Sequence, residues 1–205
     1  PQVRWLRSWN VPPLGDADSE ALDLAAELLG RGKTSLLYQR LVHRDQLADS
    51  VSVSHSSFEL AGLFSISVAI KAGVDPARVE AIVVEELQRF LREGPQNDAL
   101  ARVKVGIESG FVRGVERIGG FGGKADVLAA GQVYLDDPDA VRASLQRTLA
   151  IDAATVQQAA QRWLAQGDHT LLVVPFSARA AALSDEVDRS AGPPQVSEFP
   201  SVKFP

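Results

Sequence analysis

Three histidines are the side chains best suited to bind a metal or transfer protons, and their spacing decides what they can do. His43, His55 and His169 stand far apart, and none belongs to an H-E-x-x-H or H-x-x-E-H motif. Those motifs place two imidazoles on one helical turn, where they can share a zinc ion. The chain has no cysteine, which excludes thiolate ligands and a thiol nucleophile. The sequence therefore predicts no metal site and no catalytic residue of its own.

The surroundings of two histidines indicate structural or solvated roles. Val51, Val53 and His55 share one side of an alternating run, which is the side expected to face the core. We therefore predict that His55 is a half-buried structural residue. His169 directly precedes an apolar run and is predicted to lie in a solvated turn.

Two glycine-rich segments match nucleotide-binding loops only in part. In Gly30–Ser35, Gly32-Lys33-Thr34 matches the end of the phosphate-loop motif G-x-x-x-x-G-K-[ST]. The first glycine of that motif would stand five residues before Gly32, where this chain has Glu27, whose carboxylate would repel phosphate. Gly120–Ala125 matches G-x-G-x-x-A, but both segments follow a predicted helix where a nucleotide loop follows a strand. We predict tight connections between helices at both places. The acidic cluster Asp136–Asp139 lacks the ligand spacing of a calcium loop and is predicted to be a solvated turn.

Composition excludes two further classes of function. The 205 residues include 45% hydrophobic and 23% charged side chains, which is typical of a globular protein. The formal net charge is -5, so nucleic acid is not an expected partner. No apolar run approaches the roughly 20 residues needed to cross a bilayer, and we predict no membrane span.

Hydrophobic periodicity predicts an α+β fold with a mostly antiparallel sheet and helices packed on one face. Alternating runs at 50–57 and 63–70 predict a β-hairpin, with Phe64 and Ile66 directed inward. The other predicted strands are 2–11 and a buried strand at 170–175. The predicted helices cover 16–29, 34–44, 75–93, 98–118, 124–134 and 152–164.

The order of these segments resembles one known family. Leu28–Val42, followed by Leu47–Val53, is similar to the second domain of pitrilysin/insulinase-type zinc peptidases, which include the mitochondrial processing peptidases. Gly119–Ala125, Asp137-Pro138 and Ile151–Leu164 follow in the same order as in that family. The resemblance covers about residues 2–176.

Two positions depart from the family pattern. Some second domains carry an arginine and a tyrosine, seven residues apart, that hold substrate across the peptidase chamber. The matching positions here are Val42 and Asp49. Val42 has no hydrogen-bond donor, and Asp49 has the wrong size and charge. The family's H-x-x-E-H motif belongs to the first domain of a unit and is also missing here.

The resemblance implies a role within a longer protein, called the parent below. Residues 1–176 are expected to be the second, non-catalytic domain of a zinc-peptidase unit, and 177–205 a proline-containing tail or linker. Zinc is expected in the parent, in a domain before Pro1, and another peptidase unit is expected in cis or in trans. The implied function is that of a non-catalytic domain of a zinc-dependent endopeptidase, which forms part of the peptide-enclosing chamber and packs against a zinc-carrying domain outside this chain. The alternative is a scaffold or partner-binding subunit of an inactive relative. The expected location is periplasmic or secreted, with the cytoplasm as the alternative.

Overall fold

The computed structural model describes residues 2–175, which form one antiparallel sheet and a layer of helices. The strands are β1 (Arg4–Val11), β2 (Ala48–Ser57), β3 (Gly62–Ile70) and β4 (Asp168–Val173). The α-helices are α1 (Ser19–Gly30), α2 (Pro76–Glu93), α3 (Asn97–Val115), α4 (Lys124–Leu135), α5 (Ala140–Ala150) and α6 (Ala153–Leu164). A π-helix spans Tyr38–Arg44. This arrangement confirms the predicted α+β class.

The strand order in the sheet is β2-β3-β1-β4, and every neighbouring pair is antiparallel. The predicted hairpin of β2 and β3 is present, with Phe64 opposite both His55 and Trp9. Phe64 is fully buried and meets Trp9 edge to face, with 6.0 Å between the ring centroids. Because side chains alternate along each strand, this face of the sheet forms the core with α1.

The predicted helix at 34–44 is present but differs in winding. Its main part is a π-helix, in which the Asp45 N–H donates to the Arg40 carbonyl at 3.0 Å. The Arg40 guanidinium also donates to the Asp45 carboxylate at 2.8 Å and stabilises the same wide turn. Leu37 and Leu41 are still completely buried, as the predicted inner face requires.

The prediction of a buried strand at 170–175 is wrong in its burial. β4 pairs with β1 and lies at the end of the strand order, and all six of its residues are exposed. An apolar run of this length does not distinguish a central strand from an edge strand. Helix α5 was not predicted, since only Ala140 and Thr148 of its residues are buried and its apolar periodicity is weak.

Residues 2–175 belong to one compact unit. The predicted tail at 177–205 lies outside the residues that the structure describes. Among the described helices, none is both long and apolar enough to cross a membrane.

Candidate functional site

The three histidines lie on different elements and are not brought together. His43 lies on the π-helix, His55 on β2 and His169 on β4. Within residues 2–175, no group of three His, Cys, Asp or Glu side chains could hold a metal ion. The donor set in this part of the chain therefore does not fit a catalytic zinc, which needs three protein ligands.

His55 is half-buried as a whole residue, as predicted, and its side chain is almost fully enclosed. Its side chain is only 1% exposed, and its ring packs against Phe64 with 6.4 Å between the centroids. The Nδ1 atom lies 2.7 Å from Asp23 Oδ1 on α1, and the Nε2 atom lies 3.2 Å from Ser57 Oγ. The imidazole thus joins the helical layer to the sheet. His169 is exposed, as predicted, although it lies within β4.

Val42 and Asp49 lie on two irregular pieces of backbone. Val42 is in the π-helix and packs against the core. Asp49 lies at the register shift between Ala48 and Ser50 in β2, and its carboxylate accepts a 2.6 Å hydrogen bond from Gln2. π-Helices and β-bulges are both frequent at functional sites, because they redirect side chains. The two positions that the resemblance aligns with an arginine and a tyrosine of the family therefore lie on the kind of backbone that orients functional groups.

A charge network ties the π-helix to α2. Arg40 contacts Asp45 at 2.8 Å, and Glu85 and Glu86 at 3.3 Å each. The Glu86 side chain is 4% exposed, so this carboxylate needs the neighbouring cation. Hydrogen bonds from Arg44 and then Arg40 hold the pKa of Asp45 below its ordinary value. The network stabilises the conformation of the backbone that carries Val42.

The two glycine-rich segments connect helices, as predicted. Gly30 ends α1 and residues 31–35 follow it, and Gly119–Gly123 lies between α3 and α4. Neither has the strand before it that a phosphate-binding loop requires. A Cβ atom at Gly30 would overlap Val53, so this glycine permits close packing of α1 on β2.

The largest feature that sequence reasoning missed is the second face of the sheet, which we call the open face. It consists of the residues that alternate with the core positions on all four strands. Seven residues of the open face are serines, each of which presents a hydroxyl group: Ser8, Ser50, Ser52, Ser54, Ser56, Ser65 and Ser67. None of these seven is buried.

The strand register arranges the open face in rows. Ser54, Ser65, Ser8 and His169 form one row across the four strands, and the Ser8 and Ser65 hydroxyls lie 3.1 Å apart. The hydroxyl groups concentrate on β2 and β3, whereas the β4 end of the face carries apolar side chains such as Leu171. The alternating serines of the two hairpin runs are the sequence signal that could have identified this face.

An ion pair attaches the edge strand to the rest of the sheet. Arg7 on β1 contacts Asp168 on β4 at 2.8 Å, and its guanidinium lies 5.2 Å from the Trp9 ring centroid. The hydrogen bond from Arg7 is the main reason that the pKa of Asp168 is lowered. The pair therefore holds the exposed apolar strand in register beside the open face.

Comparison with known proteins gives a family and a fold. The family model of the peptidase M16 inactive domain matches residues 1–106 of the 205. None of the curated proteins matches this chain. A protease from Helicobacter pylori has a similar structure with a TM-score of 0.75 and 18% identity, covering 85% of this chain and 41% of that one.

Two further structures show the same fold. The inactive peptidase domain of a proposed zinc protease from Bordetella parapertussis gives a TM-score of 0.74 at 19% identity, covering 88% of this chain and 95% of that one. The periplasmic protease PqqL from Escherichia coli gives a TM-score of 0.65 at 16% identity, covering 86% of this chain and 19% of that one. This chain thus spans less than half of the Helicobacter pylori protease, and the family model covers just over half of this chain. The chain belongs to the peptidase M16 inactive-domain family.

Proposed function

We propose that this chain is the non-catalytic second domain of a zinc-dependent endopeptidase, and that its open face forms part of the chamber enclosing the peptide. The zinc ion would be held by another domain of the parent, against which this domain packs. The observation that carries the proposal is the open face itself. It is a broad sheet surface lined by small hydroxyl groups, while the opposite face is filled with core side chains.

The chemistry of the open face suits a wall that contacts many different peptides. Serine hydroxyls can donate and accept hydrogen bonds, so they match any backbone amide or carbonyl. Their small size leaves the surface flat, and a sheet of four strands holds it rigid. Apolar residues at the β4 end, such as Leu171, would accept apolar peptide side chains. Such a surface binds weakly and without sequence preference, which a peptidase chamber needs.

The absence of an arginine at Val42 and of a tyrosine at Asp49 is consistent with two units that carry different functional groups. Val42 offers no polar group, and Asp49 is engaged by Gln2. We propose that a second unit of the parent assembly supplies the arginine and tyrosine that hold substrate. A unit without that pair would be the one that carries zinc. Residues 1–176 would act as this domain, and 177–205 would connect it to the next one.

The proposal is tested on the full-length parent with an unstructured fluorogenic peptide. Cleavage should occur and should stop when a zinc chelator is added. Ser67→Trp, at the centre of the open face, should lower kcat/KM by about tenfold or more, because a bulky ring displaces the peptide from its reactive position. Ala81→Trp is the matched control, since Ala81 is exposed on α2, and it should leave cleavage unchanged. Equal activity of both variants would show that peptide does not pass along the open face.

The alternative function is a scaffold or partner-binding subunit of an inactive relative. The same replacements at Val42 and Asp49 favour it, because catalytically inactive relatives also lose functional side chains. A folded parent that binds no zinc and cleaves no peptide, with its partner unit present, would establish this alternative. An intact H-x-x-E-H motif in the preceding domain would count against it.

We further propose a periplasmic location, which the similarity to PqqL supports. Osmotic-shock fractionation of the source cells, with immunodetection of the parent, is the direct test. Recovery with cytoplasmic marker enzymes would contradict it.

A further inference from the structure

Asp23, His55 and Ser57 form a chain of hydrogen bonds that neither the family nor the proposed function explains. Asp23 lies on α1, and His55 and Ser57 lie two residues apart on the same side of β2. The carboxylate contacts Nδ1 at 2.7 Å, and the hydroxyl contacts Nε2 at 3.2 Å. A nucleophile within hydrogen-bond reach of a base, with the base oriented by a third group, is the arrangement of an activated serine.

The direction of each hydrogen bond follows from the chemistry of the three groups. An ionised carboxylate can only accept, so Nδ1–H of His55 donates to Asp23. The neutral imidazole then has its lone pair on Nε2, so the Ser57 hydroxyl donates to Nε2. This is the tautomer in which His55 can remove the Ser57 proton. Because the His55 side chain is 1% exposed, few water molecules compete with these contacts.

The turn after Ser57 determines which substrates could react. The amide of Phe58 donates to the Ala61 carbonyl at 3.0 Å, so it is not free to stabilise an oxyanion beside Ser57. The loss of one oxyanion donor costs a serine hydrolase about 10²–10³ in rate. Esters with poor leaving groups and peptide bonds would therefore react too slowly. Aryl esters and other acyl compounds with good leaving groups need less help.

The surface near Ser57 favours an aromatic or apolar acyl compound. The side chains of Phe58 and Leu60 at the hairpin tip are 62% and 89% exposed, and Leu14 is also exposed. The Leu14 amide donates to the Phe58 carbonyl at 2.9 Å, which holds Leu14 and Phe58 side by side. An aryl leaving group can pack on them while its carbonyl carbon approaches Ser57.

We propose that Ser57 is an activated nucleophile that hydrolyses aryl esters through an acyl-serine intermediate. The Ser57 oxygen attacks the carbonyl carbon while its proton moves to His55 Nε2. The phenolate then leaves and takes that proton, which gives a phenol and the acylated serine. Water attacks the acyl carbon, passes a proton through His55, and releases the carboxylic acid with Ser57 restored. This activity is independent of zinc and of the peptidase chamber.

The test uses the 205-residue chain with p-nitrophenyl acetate and with a fluorophosphonate probe, in which the serine displaces fluoride. Mass spectrometry of the digested protein locates the adduct. Labelling is expected at Ser57, at least about tenfold faster than at Ser109, a half-buried serine on α3 that serves as the reference. Ser57→Ala should abolish the adduct and the ester hydrolysis, and Ser109→Ala should change neither.

Two further variants separate activation from mere exposure of the hydroxyl. His55→Gln removes the base, and Asp23→Asn keeps a similar shape but removes the charge. Both should slow labelling by about tenfold or more. Asp23 is 56% exposed in its side chain, so Asp23→Asn is expected to keep the fold even if His55→Gln does not. The proposal is overturned if Ser57 labels no faster than Ser109, or if Asp23→Asn leaves the rate unchanged in a folded protein.

Discussion

Among the glycines of residues 2–175, Gly30 is the one where an added carbon should disturb the fold most. It is the last residue of α1, and α1 packs directly on β2 there. A Cβ atom at Gly30 would overlap the Val53 side chain and would stand 2.6 Å from Val53 Cβ and 2.7 Å from the Val53 nitrogen. The nitrogen cannot move aside, because β2 is paired with β3 at this point, with Val53 opposite Ile66. Gly30→Ala must therefore push the end of α1 away from the sheet.

The size of the effect follows from two opposing terms. Overpacking of a tight core costs typically about 1–3 kcal/mol, and an overlap with backbone belongs at the upper end. Replacement of glycine by alanine inside a helix raises the free energy of unfolding by about 0.5–1 kcal/mol. The net loss in the free energy of unfolding is then about 2 kcal/mol. For a domain of 150–250 residues this lowers Tm by about 4–8 °C.

Gly106→Ala is the matched control. Gly106 lies inside α3, and an added Cβ there would meet no atom within 4 Å. The same chemical change should therefore raise stability by about 0.5–1 kcal/mol. Thermal unfolding of the two variants by circular dichroism should give shifts of opposite sign.

The double variant Gly30→Ala with Val53→Ala tests the cause. Val53→Ala removes the methyl groups but keeps the Cβ and nitrogen atoms that also block the new carbon. The double variant should therefore regain at most part of the stability that Gly30→Ala loses, compared with the sum of the two single variants. Equal Tm values for Gly30→Ala and Gly106→Ala would refute the close-packing argument. Full recovery in the double variant would show that the side chain of Val53, and not the backbone, sets the cost.

Three further experiments test the core and the charges. Phe64→Ala should lower the free energy of unfolding by about 3–5 kcal/mol, measured by urea titration, because the ring is fully buried. Arg147→Met should lower the free energy of unfolding by about 1–3 kcal/mol, because the Glu20 side chain is only 8% exposed and its carboxylate loses its cation. Adding Glu20→Gln should recover part of that loss. The pKa of Asp168 is lowered by Arg7, so this pair stabilises the fold above the ordinary pKa of about 3.9, and its contribution disappears as the pH falls through the lowered value. Asp168→Asn should therefore lower Tm slightly at pH 7, and the Tm of this variant should fall less on acidification than the Tm of the unchanged protein. An identical fall of Tm in the two proteins would contradict the stabilising effect assigned to the ionised Asp168.

Local patterns predicted much of the fold because each one reflects a local rule. The alternation of Phe64 and Ile66 with serines predicted the inward face of β3, and Asp75-Pro76 marks the start of α2, with a 3.0 Å bond from the Ala77 amide to the Asp75 carboxylate. Asp152 likewise caps α6 by accepting from the Thr155 amide at 2.8 Å. Each of these signals needs only neighbours in the chain.

Predictions that depend on distant partners were less accurate. Asp18 precedes α1 without capping it through its side chain, because the carboxylate accepts from the Trp163 indole at 2.8 Å, across more than 140 residues of chain. The end of α1 at Gly30 agrees with the sequence, whereas the close contact of Gly30 with Val53 depends on the packing of α1 on β2. The burial of β4 was predicted from hydropathy alone, and its edge position depends on the strand order.

The sequence by itself determined the α+β class, the hairpin and the absence of an H-x-x-E-H motif. These follow from residue type and spacing, which are local properties of the chain. Only the tertiary structure decided that serines of three strands form one open face, and that Asp23 reaches His55 from another element. Both depend on strand register and on the packing of α1 over the sheet. Strand register and helix packing depend on contacts between residues far apart in sequence, and no single segment of the sequence contains the information on those contacts.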